Sequence, residues 1–79
     1  MLLSNQDIAR KLRAQASELA RGGDNLYRVR AFRQAALAVM ALPEEVEMLV
    51  AKQGPRVLER LPGIGKSLAE TIAGYLNAT

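Results

Sequence analysis

The sequence predicts an all-α fold, a compact bundle of four to five short helices within a single domain spanning residues 1–79. Three observations carry that reading. Apolar residues recur at helical spacing through most of the chain. No segment alternates apolar and polar residues as a strand does. Glycine or proline interrupts the pattern at helix-length intervals.

Ser4 followed by Asp7 forms a capping start, and Ile8, Leu12, Ala16 and Leu19 then mark the buried face of a first helix that Gly22-Gly23 ends. Arg10, Lys11, Arg13, Ser17 and Glu18 fall on its solvated side. Asp24-Asn25 supplies the cap of a second helix, whose buried stripe is Val29, Phe32, Ala36, Val39 and Met40. Its alanines permit close helix packing, and Leu37 falls on the outward side. Leu42-Pro43-Glu44-Glu45 reads as a break followed by proline and acids in the first turn of a third helix, with Val46, Leu49 and Val50 inward and Gly54 as the stop. Pro55 opens a short fourth helix to Arg60, and a last helix buries Leu68, Ile72, Tyr75 and Leu76.

The segment Leu61-Pro62-Gly63-Ile64-Gly65-Lys66 joins the last two helices and is the most informative in the chain. Pro62 has no amide hydrogen and pushes Leu61 toward an extended conformation, so the preceding helix stops there. Gly63 and Gly65 tolerate positive φ or let another molecule approach closely, while apolar Ile64 points inward. The final helix then begins around Gly65. Its first N–H groups lack intrahelical acceptors and carry the positive end of the helix dipole, which makes the corner a seat for a phosphate. Lys66 adds a full charge.

Two other phosphate motifs fail on spacing. Gly65-Lys66-Ser67 resembles the end of a P-loop, but the first glycine of that motif falls on Arg60, after helix rather than strand. Gly63-x-Gly65 begins a dinucleotide fingerprint, but Leu68 occupies the place of its third glycine.

Composition narrows the function classes. The chain has no Cys and no His, so disulfides, thiolate and imidazole catalysis and the usual zinc sites are excluded. The segment from Met1 to Asp7 lacks the basic stretch and long apolar run of a secretory signal, giving a cytoplasmic expectation, with nucleoid association in a bacterium. The longest apolar run, Ala35 to Leu42, falls far short of the roughly 20 residues of a membrane span. Eleven basic against eight acidic residues give a net charge of +3, too modest to argue for nucleic acid by its size. Its distribution is more telling. Acids cluster at Glu44, Glu45 and Glu47, whereas Arg28, Arg30 and Arg33 gather on the second helix and Arg56, Arg60 and Lys66 flank the corner.

The corner, framed by Leu58, Leu61, Ile64, Leu68, Ala69 and Ile72, resembles the helix-hairpin-helix motif of DNA-binding proteins. The segment Asp24-Asn25-Leu26-Tyr27-Arg28-Val29-Arg30-Ala31-Phe32-Arg33-Gln34-Ala35-Ala36 resembles a second stretch, found near the amino terminus of bacterial family X DNA polymerases. With Ala41-Leu42-Pro43-Glu44-Glu45 and residues 61–69, the resemblance spans nearly the whole chain. Leu26 departs from it, standing where bacterial members usually have proline.

The resemblance implies a domain that binds the 5′-phosphate side of gapped, nicked or duplex DNA without reading sequence, in repair or replication. Its phosphate-binding residues would be Gly63, Gly65, Lys66 and Ser67, joined by Arg28, Arg30 and Arg33. A structural role for Arg28, pairing with Asp24 or covering apolar surface, stays open beside phosphate contact. So does the choice for Tyr27 between stacking on a base or sugar and serving as part of the core or a helix-start staple; Phe32 is assigned to packing. The family's hairpins often hold a monovalent cation, sodium or potassium, on main-chain carbonyls that match Glu59, Leu61 and Ile64. No other cofactor is implied. Active lyases of the family use a lysine where this chain has Thr71, and their other lysine on that helix matches Ser67. Their assisting aromatic hydroxyl falls on Phe32. A threonine forms no imine, so the expectation is a binding domain and not an enzyme, with residual lyase chemistry as a minor alternative. A protein-interaction module on the same scaffold, with a repair or replication protein as partner, is the other alternative.

Overall fold

A computed structural model describes residues 3–78; Met1 and Leu2, which belong to the amino-terminal segment read above, lie outside the described residues, as does Thr79. Five helices follow in order: α1 Asn5–Arg21, α2 Leu26–Met40, α3 Val46–Gln53, α4 Val57–Arg60 and α5 Lys66–Asn77. No strand occurs among the described residues.

Helix α1 begins as its sequence dictates. Ser4 is the N-cap, its hydroxyl accepting from the Asp7 amide at 3.1 Å while the Asp7 carboxylate accepts from the Ser4 amide at 3.2 Å. These bonds to Ser4 favour the charged form and hold the Asp7 carboxyl below its ordinary range. Asn25 caps α2 by accepting from the Tyr27 amide at 2.8 Å. The two long helices pack against each other more extensively than any other pair. Their inward residues Ile8, Leu12, Ala16, Val29, Phe32, Ala36 and Val39 are all buried, with Ile72 of α5 and Leu58 of α4 closing the same core. Tyr75, half-buried on α5, bonds through its hydroxyl to the Gln15 side chain on α1 and carries Lys11 above its ring. Burial raises the pKa of its hydroxyl.

Three sequence expectations are corrected here. Met40 lies at the end of α2 and remains 48% exposed, because the chain turns away at Ala41 before another element covers it. Tyr75 and Leu76 are only partly buried, since the last turn of α5 runs along the edge of the core. Pro43, Glu44 and Glu45 do not form the first turn of α3, which starts at Val46.

The acids instead cross to α1. The Glu47 carboxylate accepts from the Leu3 amide at 2.7 Å and that of Glu45 from the Asn5 amide at 3.3 Å, placing negative charge at the positive end of α1. Asn5 returns the contact: its side-chain oxygen accepts from the Val46 amide at 2.7 Å, and its amide nitrogen donates to the Glu44 carbonyl at 2.8 Å. Asn5 is 7% exposed and thus caps α3 from another helix, in place of Glu45, which makes no side-chain cap of its own. Asn5→Ala strands the buried Val46 donor, and an unsatisfied buried group costs about 1–3 kcal/mol. Thermal denaturation should show a drop of several degrees, at roughly 4–8 °C per kcal/mol for a domain of this size.

Candidate nucleic-acid interface

The corner between α4 and α5 is built from residues that cannot continue a helix. Leu61 is extended at φ −73 and ψ 136, Gly63 is left-handed at φ 80, and the Ile64 amide closes the turn by donating to the Leu61 carbonyl at 3.1 Å. Ile64 is buried at 5% exposure and ties the corner to the core. Gly65 is extended at φ −85 and ψ 178, and its carbonyl accepts the first bond of α5, from the Ala69 amide at 2.8 Å. The two glycines therefore do different work. A Cβ on Gly63 would lie 3.2 Å from the Cβ of Ala38 on α2, whereas a Cβ on Gly65 would meet nothing within 4 Å.

The amides of Gly63, Gly65, Lys66 and Ser67 donate no hydrogen bond to any described residue, and all four residues are exposed. They stand at the positive end of a 12-residue helix. Facing them, the start of α2 forms the other wall of a cleft of about 420 Å³. Tyr27, Arg28, Ala31 and Phe32 line one side; Gly63, Gly65, Lys66, Ser67 and Leu68 line the other. Much of the lining is apolar, with the donors and charges at its rim.

The arginines of α2 do not act as one group. Arg28 borders the cleft and pairs with Asp24 at 3.2 Å, an exposed ion pair one helical turn back. Such pairs are weak, about 0–1 kcal/mol, and yield readily to another anion. Arg30 borders a neighbouring hollow with Tyr27, Ala31 and Gln34. Arg33 is exposed and borders neither. Tyr27 is 81% exposed at the cleft mouth, which removes both the core and the staple roles and leaves its ring open to a ligand.

Phe32, 4% exposed, is a packing residue as its spacing indicates, though its ring also forms part of the cleft wall. Ala31 and Leu68 line the cleft as well, and the sequence alone singles out neither for contact with a ligand. Their apolar, helical spacing reads as core, and only the approach of α2 to the corner turns them into a surface. Thr71 spends its hydroxyl on the Ser67 carbonyl at 3.1 Å within α5. Among the described residues, the carbonyls of Glu59 and Ile64 accept no hydrogen bond, while that of Leu61 accepts one.

A left-handed corner that presents free amides at a helix start, on an all-α scaffold, defines a helical-hairpin domain. The family model described as Helix-hairpin-helix domain matches residues 3–79, so the chain belongs to that family, which is that of the 8-kDa-type domain of family X polymerases. No curated protein and no solved structure matches the chain significantly. Domains of this family generally serve as DNA-binding modules. No helix among the described residues is long and apolar enough to cross a membrane.

The glycine geometry predicts a clean separation of stability from contact. Gly63→Ala forces a side chain into the left-handed region, at roughly 1–2 kcal/mol, and also presses on Ala38. Gly65→Ala meets neither penalty. Denaturant melts should register a loss for the first variant and almost none for the second.

Proposed function

We propose that this domain binds DNA through its phosphate backbone without reading sequence, and that it favours the 5′-phosphate side of a gap or nick, as in repair or replication. The observation that carries the reading is the set of unpaired amides at Gly63, Gly65, Lys66 and Ser67 facing Arg28 across an open cleft. Main-chain donors fix an anion in position but meet no base edge, which is why sequence plays no part. The Lys66 ammonium and the Ser67 hydroxyl close around a phosphate held by the amides. Arg28 exchanges Asp24 for the terminal phosphate, a charge-assisted contact stronger than the exposed pair it replaces. Arg30 and Arg33 contribute to the field around the site more than to one contact.

The carbonyls of Glu59, Leu61 and Ile64 suit a sodium or potassium ion. The Glu59 and Ile64 oxygens have no donor among the described residues, that of Leu61 keeps a lone pair beside its bond from the Ile64 amide, and such a cation would add positive charge to the corner.

A labelled gapped duplex titrated at several salt concentrations tests the reading. Binding should be weak, roughly 10⁻⁴ to 10⁻⁶ M near physiological salt, and should fall as salt rises. Lys66→Glu should weaken it further, whatever the sequence of the duplex. A lack of binding even at low salt would refute the DNA reading and favour the protein-interaction module. What speaks for that second reading is the outward face of α2, where Leu37 is 67% and Met40 48% exposed.

We assign no lyase chemistry to the domain. Thr71 cannot form an imine, and Phe32 has no oxygen to assist one. Of the three lysines only Lys66 borders the cleft. Borohydride should therefore trap no covalent adduct of the domain on abasic DNA; an adduct would point to Lys66.

A further inference from the structure

A second groove, of about 480 Å³, opens beside the corner and is lined by Arg56, Glu59, Arg60 and Lys66. In contrast to the first cleft it is lined mainly by polar atoms, and it holds no aromatic or aliphatic wall. Three cations meet one carboxylate there. All four residues are exposed, and none has an ion pair or side-chain hydrogen bond with another described residue. Arg10, Arg21, Arg28 and Lys52, by contrast, each face an acid within 4 Å, and of the other arginines without such a pair, Arg13, Arg30 and Arg33, none borders this groove. Lys66 is common to both grooves, so the free amides at the start of α5 lie between them.

We infer that Arg56 and Arg60, with Lys66, hold further phosphates of the same DNA strand, so that the backbone crosses the corner from the Arg28 cleft into this groove. The inference rests on the DNA-binding reading and extends it, from one phosphate seat to a track. The chemistry of the groove selects for it. Converging cations without partners repel one another, and an anion that bridges them relieves the repulsion. The absence of an apolar wall suits a phosphate and offers little to a base or sugar. Glu59 opposes the anion and is outnumbered by its neighbours. The strand must continue past its terminal phosphate to reach this groove.

Salt dependence counts the contacts, because each neutralised phosphate adds about 0.9 to the slope of log K against log salt on duplex DNA. The double variant Arg56→Gln/Arg60→Gln should lose roughly 1.8 of that slope on a gapped duplex. Across a fourfold rise in salt its affinity should therefore fall on the order of tenfold less than that of the unaltered chain. Arg13→Gln/Arg21→Gln removes the same charge from α1, outside both grooves, and should leave the slope in place. Glu59→Gln should tighten binding. Thermal melts of each variant check that the fold is kept, and Arg56→Lys/Arg60→Lys, which keeps both charges, should restore the slope. If the unaltered chain binds and the Arg56/Arg60 variant keeps its full slope, or loses no more than the α1 variant does, the inference is overturned while the functional reading stands. If the unaltered chain binds no DNA at any salt, both fall.

Discussion

The backbone at Gly63 must be left-handed and must sit against Ala38 with no side chain between them. This constraint positions everything else at the candidate site. An L-residue with a Cβ would be strained in that conformation, and the same Cβ would press on α2. With glycine there, the corner seats closely on α2 while Ile64, one residue on, fills the core. The direction of the turn is then set, and the amides of Gly65, Lys66 and Ser67 face outward because the corner's only internal amide bond runs from Ile64 to Leu61. The cleft between the corner and α2 follows from this contact. Small residues on α2, Ala31 on the cleft wall and Ala38 beneath Gly63, set how near the two walls come.

A second set of contacts holds the opposite side of the bundle. Asn5 at the start of α1 caps α3, and Glu45 and Glu47 bond to the first amides of α1. Each helix start supplies what the other lacks, so neither leaves its orphan donors to solvent alone. The arrangement also separates charge. Two of the eight acids, Glu45 and Glu47, are held at these helix starts, while Arg28, Arg56, Arg60 and Lys66 border the grooves beside the corner. A modest net charge of +3 thus resolves into a locally positive surface.

The chemistry of the grooves divides along the same line. Apolar side chains, Arg28 and the free amides share the first, whereas the second is bordered by charges alone. A nucleic-acid strand has both characters, sugars and bases on one hand and phosphates on the other. On the proposed reading, a strand lying across the corner meets both kinds of surface, which a small isolated anion does not.

Local physics made much of this legible in the chain. Ser4 with Asp7, Asn25, Gly54 and Pro62 act through their own and adjacent backbone, so the helix boundaries they set could be read without knowing what packs where. The hairpin with its outward amides was legible for the same reason, as was the inward placement of Phe32 and Ile64, which follows from helical spacing and from apolar character. What could not be read depends on elements far apart in sequence. The exposure of Met40, the crossing of Glu45 and Glu47 to α1 and the meeting of Arg28 with Lys66 across one cleft are decided by how the helices sit against each other. By itself the sequence determined an all-α run of short helices, the caps at Ser4 and Asn25 and the proline-glycine corner before the last helix, because those rest on bonds between near neighbours. Only the tertiary structure decided which charges face a groove and which are consumed as caps, because that depends on packing over separations of forty residues.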